Sequence, residues 1–281
     1  MESGGSTMSV RSPRWFAWGM TTLVIGATGK TGRHVAAALD DVRPVSRSSD
    51  LRFDWTDEST WQSALDGVRA IYLVPPVWTL SSPLVSAFVP RAVESGVERI
   101  VLLSAGGLGP AGGNEPALRN SGIDWTILRP TWFHQNFTED YFHEQVLSGT
   151  VPLPEAGPGR HAFIDTRDIA DVAVAALTQD GHAGNTYEIS GPEGLSFREA
   201  LDLIDKVSGR STAIASVPPA AYVAAAEAGG LDTGYAEAVT YHLTAVAAGQ
   251  YLSLTDTVER VLGRPARLFA AYVEENAAAW A

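Results

Sequence analysis

An apolar run, Leu23-Val24-Ile25, stops at Gly26, and Gly29 and Gly32 follow at intervals of three. Behind them comes Val35-Ala36-Ala37-Ala38-Leu39, an Ala-rich segment with high helix propensity. That order spells a buried strand, a tight turn and a helix whose first N–H groups are left exposed. A pyrophosphate can rest on such a helix start. Gly26, Thr28, Gly29, Lys30, Thr31, Gly32 and Arg33 are therefore the expected contacts for the phosphates of a dinucleotide.

The rest of the chain reads as a frame around this unit. Val42 to Arg47 makes a second short strand, and Leu51 to Asp54 a third. Asp57-Glu58-Ser59-Thr60 caps a helix carrying Trp61, Ala64 and Leu65 on one face. Ala70 to Val74 is a continuous apolar run ended by Pro75-Pro76, as suits a strand covered on both faces. A helix from about Leu84 to Ser95, the strand Arg99 to Leu103, a short helix at Ala117 to Asn120 and the strand Trp125 to Leu128 follow. Six strands are thereby counted by Leu128, and their alternation with helices predicts an α/β fold, a doubly wound parallel sheet of the Rossmann type.

Past Pro130 the pattern changes. Trp132, Phe133, Phe137, Tyr141 and Phe142 crowd onto what reads as one helix running to Leu147, and residues 149–159 read as a Pro/Gly-rich loop. A helix from Asp168 to Leu177 and a strand at Thr186 to Ile189 come next, then an amphipathic helix from Ser196 to Val207. From Pro218 onward the chain is Ala-rich and helical. The expected division is a tail at 1–19 with Met20 as the working start and a dinucleotide-binding domain at 20–130, against which 165–190 packs back. A smaller, mainly helical substrate lobe takes 131–164 and 191–281. The cleft between the two is the expected substrate site.

Composition narrows the choice of partners. The net charge of −12 argues against nucleic acid, which needs clustered Lys and Arg. The chain has no cysteine, so disulfides, thiolate metal sites and a Cys nucleophile are excluded, and a reducing cytoplasmic setting is expected. No apolar run approaches the ~18 residues of a membrane span. The six histidines include no His-Glu-x-x-His pair, so no metal is expected, and no Gly-x-Ser-x-Gly elbow is present. A small-molecule substrate and a monomer or homodimer are the remaining expectations.

The end of the second strand speaks to which dinucleotide. An acid roughly 20 residues past the first glycine would bond the ribose of NAD. Counting from Gly26 reaches Ser46 and Arg47 instead. A guanidinium with neighbouring hydroxyls suits a 2′-phosphate, so NADP(H) is preferred, with Asp50 keeping NAD(H) open. Asp54 and Trp55 are placed toward the adenine, Val74, Pro75 and Pro76 along the middle of the cofactor, and Ser104 and Pro130 toward the nicotinamide. Each lies at the carboxyl end of a predicted strand.

The chemistry is less complete. Tyr-x-x-x-Lys, the usual proton-donating pair of short-chain dehydrogenases, does not occur, and the only lysines are Lys30 and Lys206. His134 and Tyr141 are the candidate catalytic donors, with His143 and Glu115 behind them. Trp132, Phe133, His134, Asn136, Phe137 and Tyr141 are the candidate substrate contacts, the aromatics forming a wall.

Gly26 to Arg33, Ser46-Arg47-Ser48, Phe53-Asp54-Trp55, Tyr72 to Pro76, Leu102 to Ala105 and Thr126 to Phe133 occur in one order that resembles the NmrA-like atypical short-chain dehydrogenase/reductases. The likeness extends from about Thr21 to Gly263-Arg264-Pro265. It is nearest to the branch holding the festuclavine and agroclavine dehydrogenases of ergot alkaloid pathways and their bacterial relatives. The resemblance implies an NADP(H) site, no Tyr/Lys pair, and a pocket between lobes. The alkaloid branch further implies reduction of a C=N⁺ bond. That family commonly has Met where this chain has His134. The expected activity is thus an NADP-dependent oxidoreductase of secondary metabolism acting on an apolar, cyclic imine, enone or quinone. A non-catalytic NADP(H) sensor and a redox-neutral isomerase or cyclase on the same fold stand as alternatives.

Overall fold

In two inner strands of the central sheet, Thr22–Ile25 and Ala70–Leu73, successive side chains are buried on both faces. Leu23 and Ile25 of β1 (Thr22–Ile25) enter one core with Trp61, Phe88 and Val89, while Val24 between them enters another with Val35, Ile169 and Ala173. Period-two alternation with no polar face demands a cover on each side. The computed structural model describes residues 21–76, 82–106, 113–250 and 252–281, with the side chains of Asp140 and Tyr141 outside that description, and it supplies both covers. The expected tail at 1–19 and Met20 lie outside the described residues.

The strands after β1 are β2 (Val42–Val45), β3 (Ala70–Leu73), β4 (Arg99–Leu103), β5 (Asp124–Pro130), β6 (Thr150–Pro154), β7 (Asn185–Ile189) and β8 (Ala213–Val217). Six of them form one sheet in the order β2-β1-β3-β4-β5-β7, and every pairing is parallel. Helices α1 (Gly32–Ala38), α2 (Trp61–Leu65), α3 (Pro83–Glu94), α4 (Glu115–Arg119), α5 (Asp140–Leu147) and α6 (Thr166–Thr178) are interleaved with them. α1 and α6 cover one face; α2, α3 and α4 cover the other. Because the chain leaves β1 for β2 on one side and reaches β3 on the other, a topological switch point opens between β1 and β3.

A third apolar core joins Phe137, Phe142, Phe163, Phe197, Phe269 and Trp280. It gathers α5, the two-stranded sheet β6-β8, α7 (Phe197–Ser208), α8 (Pro219–Ala228), α9 (Thr233–Ala247) and α11 (Phe269–Glu275), while α10 (Thr257–Leu262) sends Val258 into the α1/α6 core.

Four sequence expectations are corrected. Leu51 to Asp54 is no strand: only Arg52 bridges to Ser46, because Phe53 and Trp55 turn into the core and Asp54 closes a tight turn on Thr56. The sixth strand of the sheet is β7, beyond Pro130. Residues 149–159, read as loop, contain β6, whose Pro152 and Pro154 are tolerated because a two-stranded sheet is all edge. Residues 131–147 are not one helix. The His134 amide donates to the Ile164 carbonyl and the Ile164 amide to that of Trp132, so the backbone pairs there and becomes helical only in a 3-10 turn at His134–Phe137 and in α5.

Candidate functional site

At the switch point the glycine turn is closed on itself. Gly26 has φ +77°, the left-handed region that favours glycine, and a Cβ there would stand 3.3 Å from Val74 at the end of β3. A Cβ on Gly32 would come within 2.2 Å of the Gly26 carbonyl, so α1 can start this close to β1 only with glycine at that position. Gly29 donates to the Gly26 carbonyl at 2.9 Å and is otherwise open to solvent, which leaves room for a phosphate against bare backbone. This cradle fits a dinucleotide pyrophosphate.

The amides of Gly26 and Ala27 both donate to the Val45 carbonyl at 3.1 Å, binding the end of β2 to the turn. Arg47 follows two residues later. It is exposed and, among the described residues, makes no ion pair. Ser46 and Ser48 lie beside it with hydroxyls 3.3 Å apart. Val74 and Pro75 are partly exposed above the sheet and Pro76 is buried.

Several candidate cofactor residues have internal duties. The Asp54 carboxylate accepts from the Thr56 amide at 3.0 Å and hydroxyl at 2.8 Å and from Arg52 at 2.7 Å, and these bonds to Thr56 hold it below the usual carboxylate range. Trp55 is buried among Phe53, Trp61 and Phe88, and its indole N–H donates to the Val74 carbonyl at 3.2 Å. It thus fixes the backbone at the switch point from below. Lys30 donates to the Asn136 side-chain oxygen at 2.6 Å, and Arg33 holds Glu139 in a two-pronged ion pair at 2.5 and 3.1 Å. The turn is therefore laced to the segment that follows β5.

At the other end of the crevice Ser104 and Arg129 converge on Glu115, which has no exposure. Arg129 donates to both carboxylate oxygens, at 2.7 and 2.6 Å, and Ser104 and Arg119 add bonds at 2.8 and 3.2 Å. Arg129 also reaches Glu188 on β7 at 2.9 Å. Burial pushes the Glu115 carboxyl up, but the bonds from Arg129, Ser104 and Arg119 outweigh it and hold the group below its ordinary value. A carboxylate held so is a brace across β4, β5 and β7, not a proton donor. Pro130 is buried, with its carbonyl accepting from the Gly106 amide at 3.2 Å.

The candidate substrate residues divide sharply. His134 has no exposure; its Nε2 lies 3.0 Å from the Phe163 carbonyl and its ring packs on Phe269 and Tyr272. Its Nδ1 stands 3.8 Å from Asp165, beyond hydrogen-bond reach. A side chain so enclosed does not face a nicotinamide, which corrects the expectation drawn from its place after Pro130. Phe137 is likewise core, with no exposure. Trp132, Phe133 and Asn136 keep partial exposure. Tyr141 lies in α5, and its side chain falls outside the described residues.

Sequence reading did not single out Glu139, Arg129, Glu188 or Asp165 for these contacts. Arg129 stands in the strand-ending Arg-Pro and was legible as a terminator only. The others find partners across long stretches of chain, and no local spacing signals them.

A model of the NAD(P)H-binding family matches residues 26–180. The chain is 32% identical to the uncharacterized oxidoreductase YesF of Bacillus subtilis over 92% of its own length and 96% of that protein's. It is 30% identical to an NAD(P)H azoreductase of Xenophilus azovorans (92% and 98% covered) and to festuclavine synthase I of Penicillium roqueforti (93% and 100%). Its fold is shared with the NADPH complex of an NADPH-dependent quinone oxidoreductase from Escherichia coli, at a TM-score of 0.73 and 22% identity over 90% and 99% of the two chains. A triphenylmethane reductase of Citrobacter gives 0.74 at 19% identity over 92% and 100%.

Proposed function

The chain belongs to the NAD(P)H-binding family, and on that premise we propose that it is an NADP(H)-dependent oxidoreductase reducing an apolar, cyclic iminium, enone or quinone. The observation that carries this reading is the glycine turn at the switch point with Arg47 beside it, bound in place through Val45. The amides at the start of α1, and not those bonded to Val45 and Gly26, take the pyrophosphate, and Arg47 with Ser46 and Ser48 takes the 2′-phosphate. Val74, Pro75 and Pro76 line the middle of the site, and Ser104 and Pro130 the far end. When bound, the nicotinamide supplies a hydride.

The chain's own contribution to the chemistry is position and dryness. Trp132 and Phe133, immediately past β5, wall the substrate face. No Tyr/Lys pair is available in the sequence, and His134 is enclosed, so the reading routes no proton through either. Iminium, enone and quinone acceptors arrive already polarised and tolerate that lack. The azoreductase and the quinone oxidoreductase among the similar proteins are named for acceptors of this conjugated kind.

Arg47→Ala tests the assignment. NADPH affinity, followed by fluorescence titration, should fall about tenfold or more while NADH affinity changes little, as loss of a charge-assisted contact to one phosphate requires. Equal losses for both would move the 2′-phosphate elsewhere. Tight binding of both NADPH and NADP⁺, with no loss of nicotinamide absorbance against quinones, imines and enones, would replace the reductase by a sensor.

A further inference from the structure

The brace around Glu115 reaches the crevice through a hydroxyl. Ser104 follows β4 at its carboxyl end, its amide donating to the Leu128 carbonyl of β5 at 2.7 Å, and it keeps partial exposure where Glu115 has none. Gly106, two residues on, donates to the Pro130 carbonyl at 3.2 Å. Ser104 and Pro130 thus stand at the ends of adjacent parallel strands, the side on which a ligand lies in an open sheet of this kind.

What Ser104 can offer a ligand follows from the acid it meets. A serine hydroxyl has one hydrogen and two lone pairs, and an ionised carboxylate only accepts. Burial pushes the Glu115 carboxyl up, and the bonds from Arg129, Ser104 and Arg119 together bring it below its ordinary value, so it is ionised at neutral pH. Ser104 Oγ stands 2.8 Å from Glu115 Oε1 and donates its one hydrogen there. A bond to a charged acceptor is roughly twice as strong as one to a neutral oxygen, so a neutral ligand carbonyl does not draw that hydrogen away. Ser104 therefore presents lone pairs to the crevice and accepts without donating. A quinone or enone oxygen, itself only an acceptor, finds no partner in it. The nicotinamide carboxamide carries the complementary group, an NH2 with hydrogens to give.

We propose that Ser104 orients the nicotinamide, its Oγ accepting from the carboxamide NH2 while its own hydrogen stays on Glu115. The inference rests on the dinucleotide reading and deepens it at the far end of the site. Glu115 acts through Ser104 and is a positioning residue, with Arg129 fixing Glu115 in turn. A carboxamide held at its nitrogen keeps the ring in one rotational setting, so one face is offered to the acceptor.

The test compares ligands of the full chain with no substrate present, followed by quenching of tryptophan fluorescence. NADP⁺ has the carboxamide, whereas its acetylpyridine analogue has a methyl group in place of the NH2 and nothing there to donate. Ser104→Ala should weaken NADP⁺ by about three- to tenfold, the scale of one hydrogen bond, and leave the analogue within about twofold of its affinity for the parent. The adenine half alone, 2′,5′-ADP, should bind parent and variant alike, which reports a folded variant with its nucleotide end intact. A serine that only braces the fold would move all three ligands together. That outcome, or an unchanged NADP⁺ affinity in Ser104→Ala, would overturn the role of Ser104 and leave the dinucleotide reading standing. Failure of the parent to bind either NADP⁺ or 2′,5′-ADP would instead remove the dinucleotide reading, and the inference with it.

Discussion

Glu115 and His161 are both titratable side chains with almost no exposure, and the fold settles them in opposite ways. Glu115 keeps its charge, because Arg129 meets both its oxygens and Ser104 and Arg119 fill in around them. His161 gives up its charge, because burial disfavours the ionised ring and the side chain it bonds is a second imidazole, that of His242. Burial acts against the ionised form at both sites. What differs is whether counter-charge was brought in with the group. The first solution makes a rigid brace under the crevice; the second makes a pair of uncharged rings with His161 buried.

The brace is the more sensitive of the two. Glu115→Ala removes from the Arg129 guanidinium, itself only 9% exposed, the carboxylate that meets it twice, and leaves Glu188 as the other carboxylate paired with it among the described residues. Removing one partner of a buried pair costs about 3–5 kcal/mol, and that loss should appear as a lower urea midpoint at neutral pH. A cost below about 1 kcal/mol would mean that Arg129 re-solvates, and the contrast with the histidines would collapse.

Acid separates the two clusters in pH. His161 and His242 lie below the ordinary 6.5 at about 3 and about 4, so between roughly pH 6.5 and 4 the unfolded chain binds protons that the native one refuses. Stability is therefore full above pH 6.5 and declines as pH falls toward 4, by up to about 1.4 kcal/mol per pH unit for a group as buried as His161. Glu115 is also lowered, from 4.5, so its contribution is present above that value and is lost only at still lower pH. Denaturation midpoints from pH 7.5 to 4 should thus decline first through the histidines, and His242→Phe should flatten that first decline. An unchanged slope in the variant would show that the imidazoles are charged in the native state.

How much of this was legible follows from the range of each interaction. The glycine turn was readable because its constraints act within seven residues: Gly32 must lack a Cβ since the Gly26 carbonyl lies where that atom would be. The parallel sheet was readable from strands apolar on both faces. β7 was credited to packing and Leu51–Asp54 to the sheet, because a short apolar run does not announce which edge it joins. At the site, Arg47 was visible as an absence of acid at a fixed count. His134 was misplaced because position after a strand says nothing about which way a side chain turns, and Ile164 had already claimed its backbone. Glu115–Arg129 and His161–His242 pair across 14 and 81 residues, and sequence carries no mark of such meetings.

Arg33 and Glu139 supply the exposed counterpart that sharpens the contrast. Their two-pronged geometry repeats that of Arg129 and Glu115, at 2.5 and 3.1 Å, but the side chains are 39% and 29% exposed. Water competes for both groups, so Glu139→Gln should cost no more than about 1 kcal/mol of stability, against several for Glu115→Ala. The same change should be felt at the glycine turn. Glu139 now neutralises a guanidinium on the first turn of α1, and losing that anion leaves the turn more positive toward a pyrophosphate. NADPH should consequently bind Glu139→Gln more tightly, by about two- to fivefold at low salt and less at high salt, since the effect is electrostatic and screened. Weaker binding would show that Glu139 serves by orienting Arg33, and the pair would then belong with the buried brace as a positioning element.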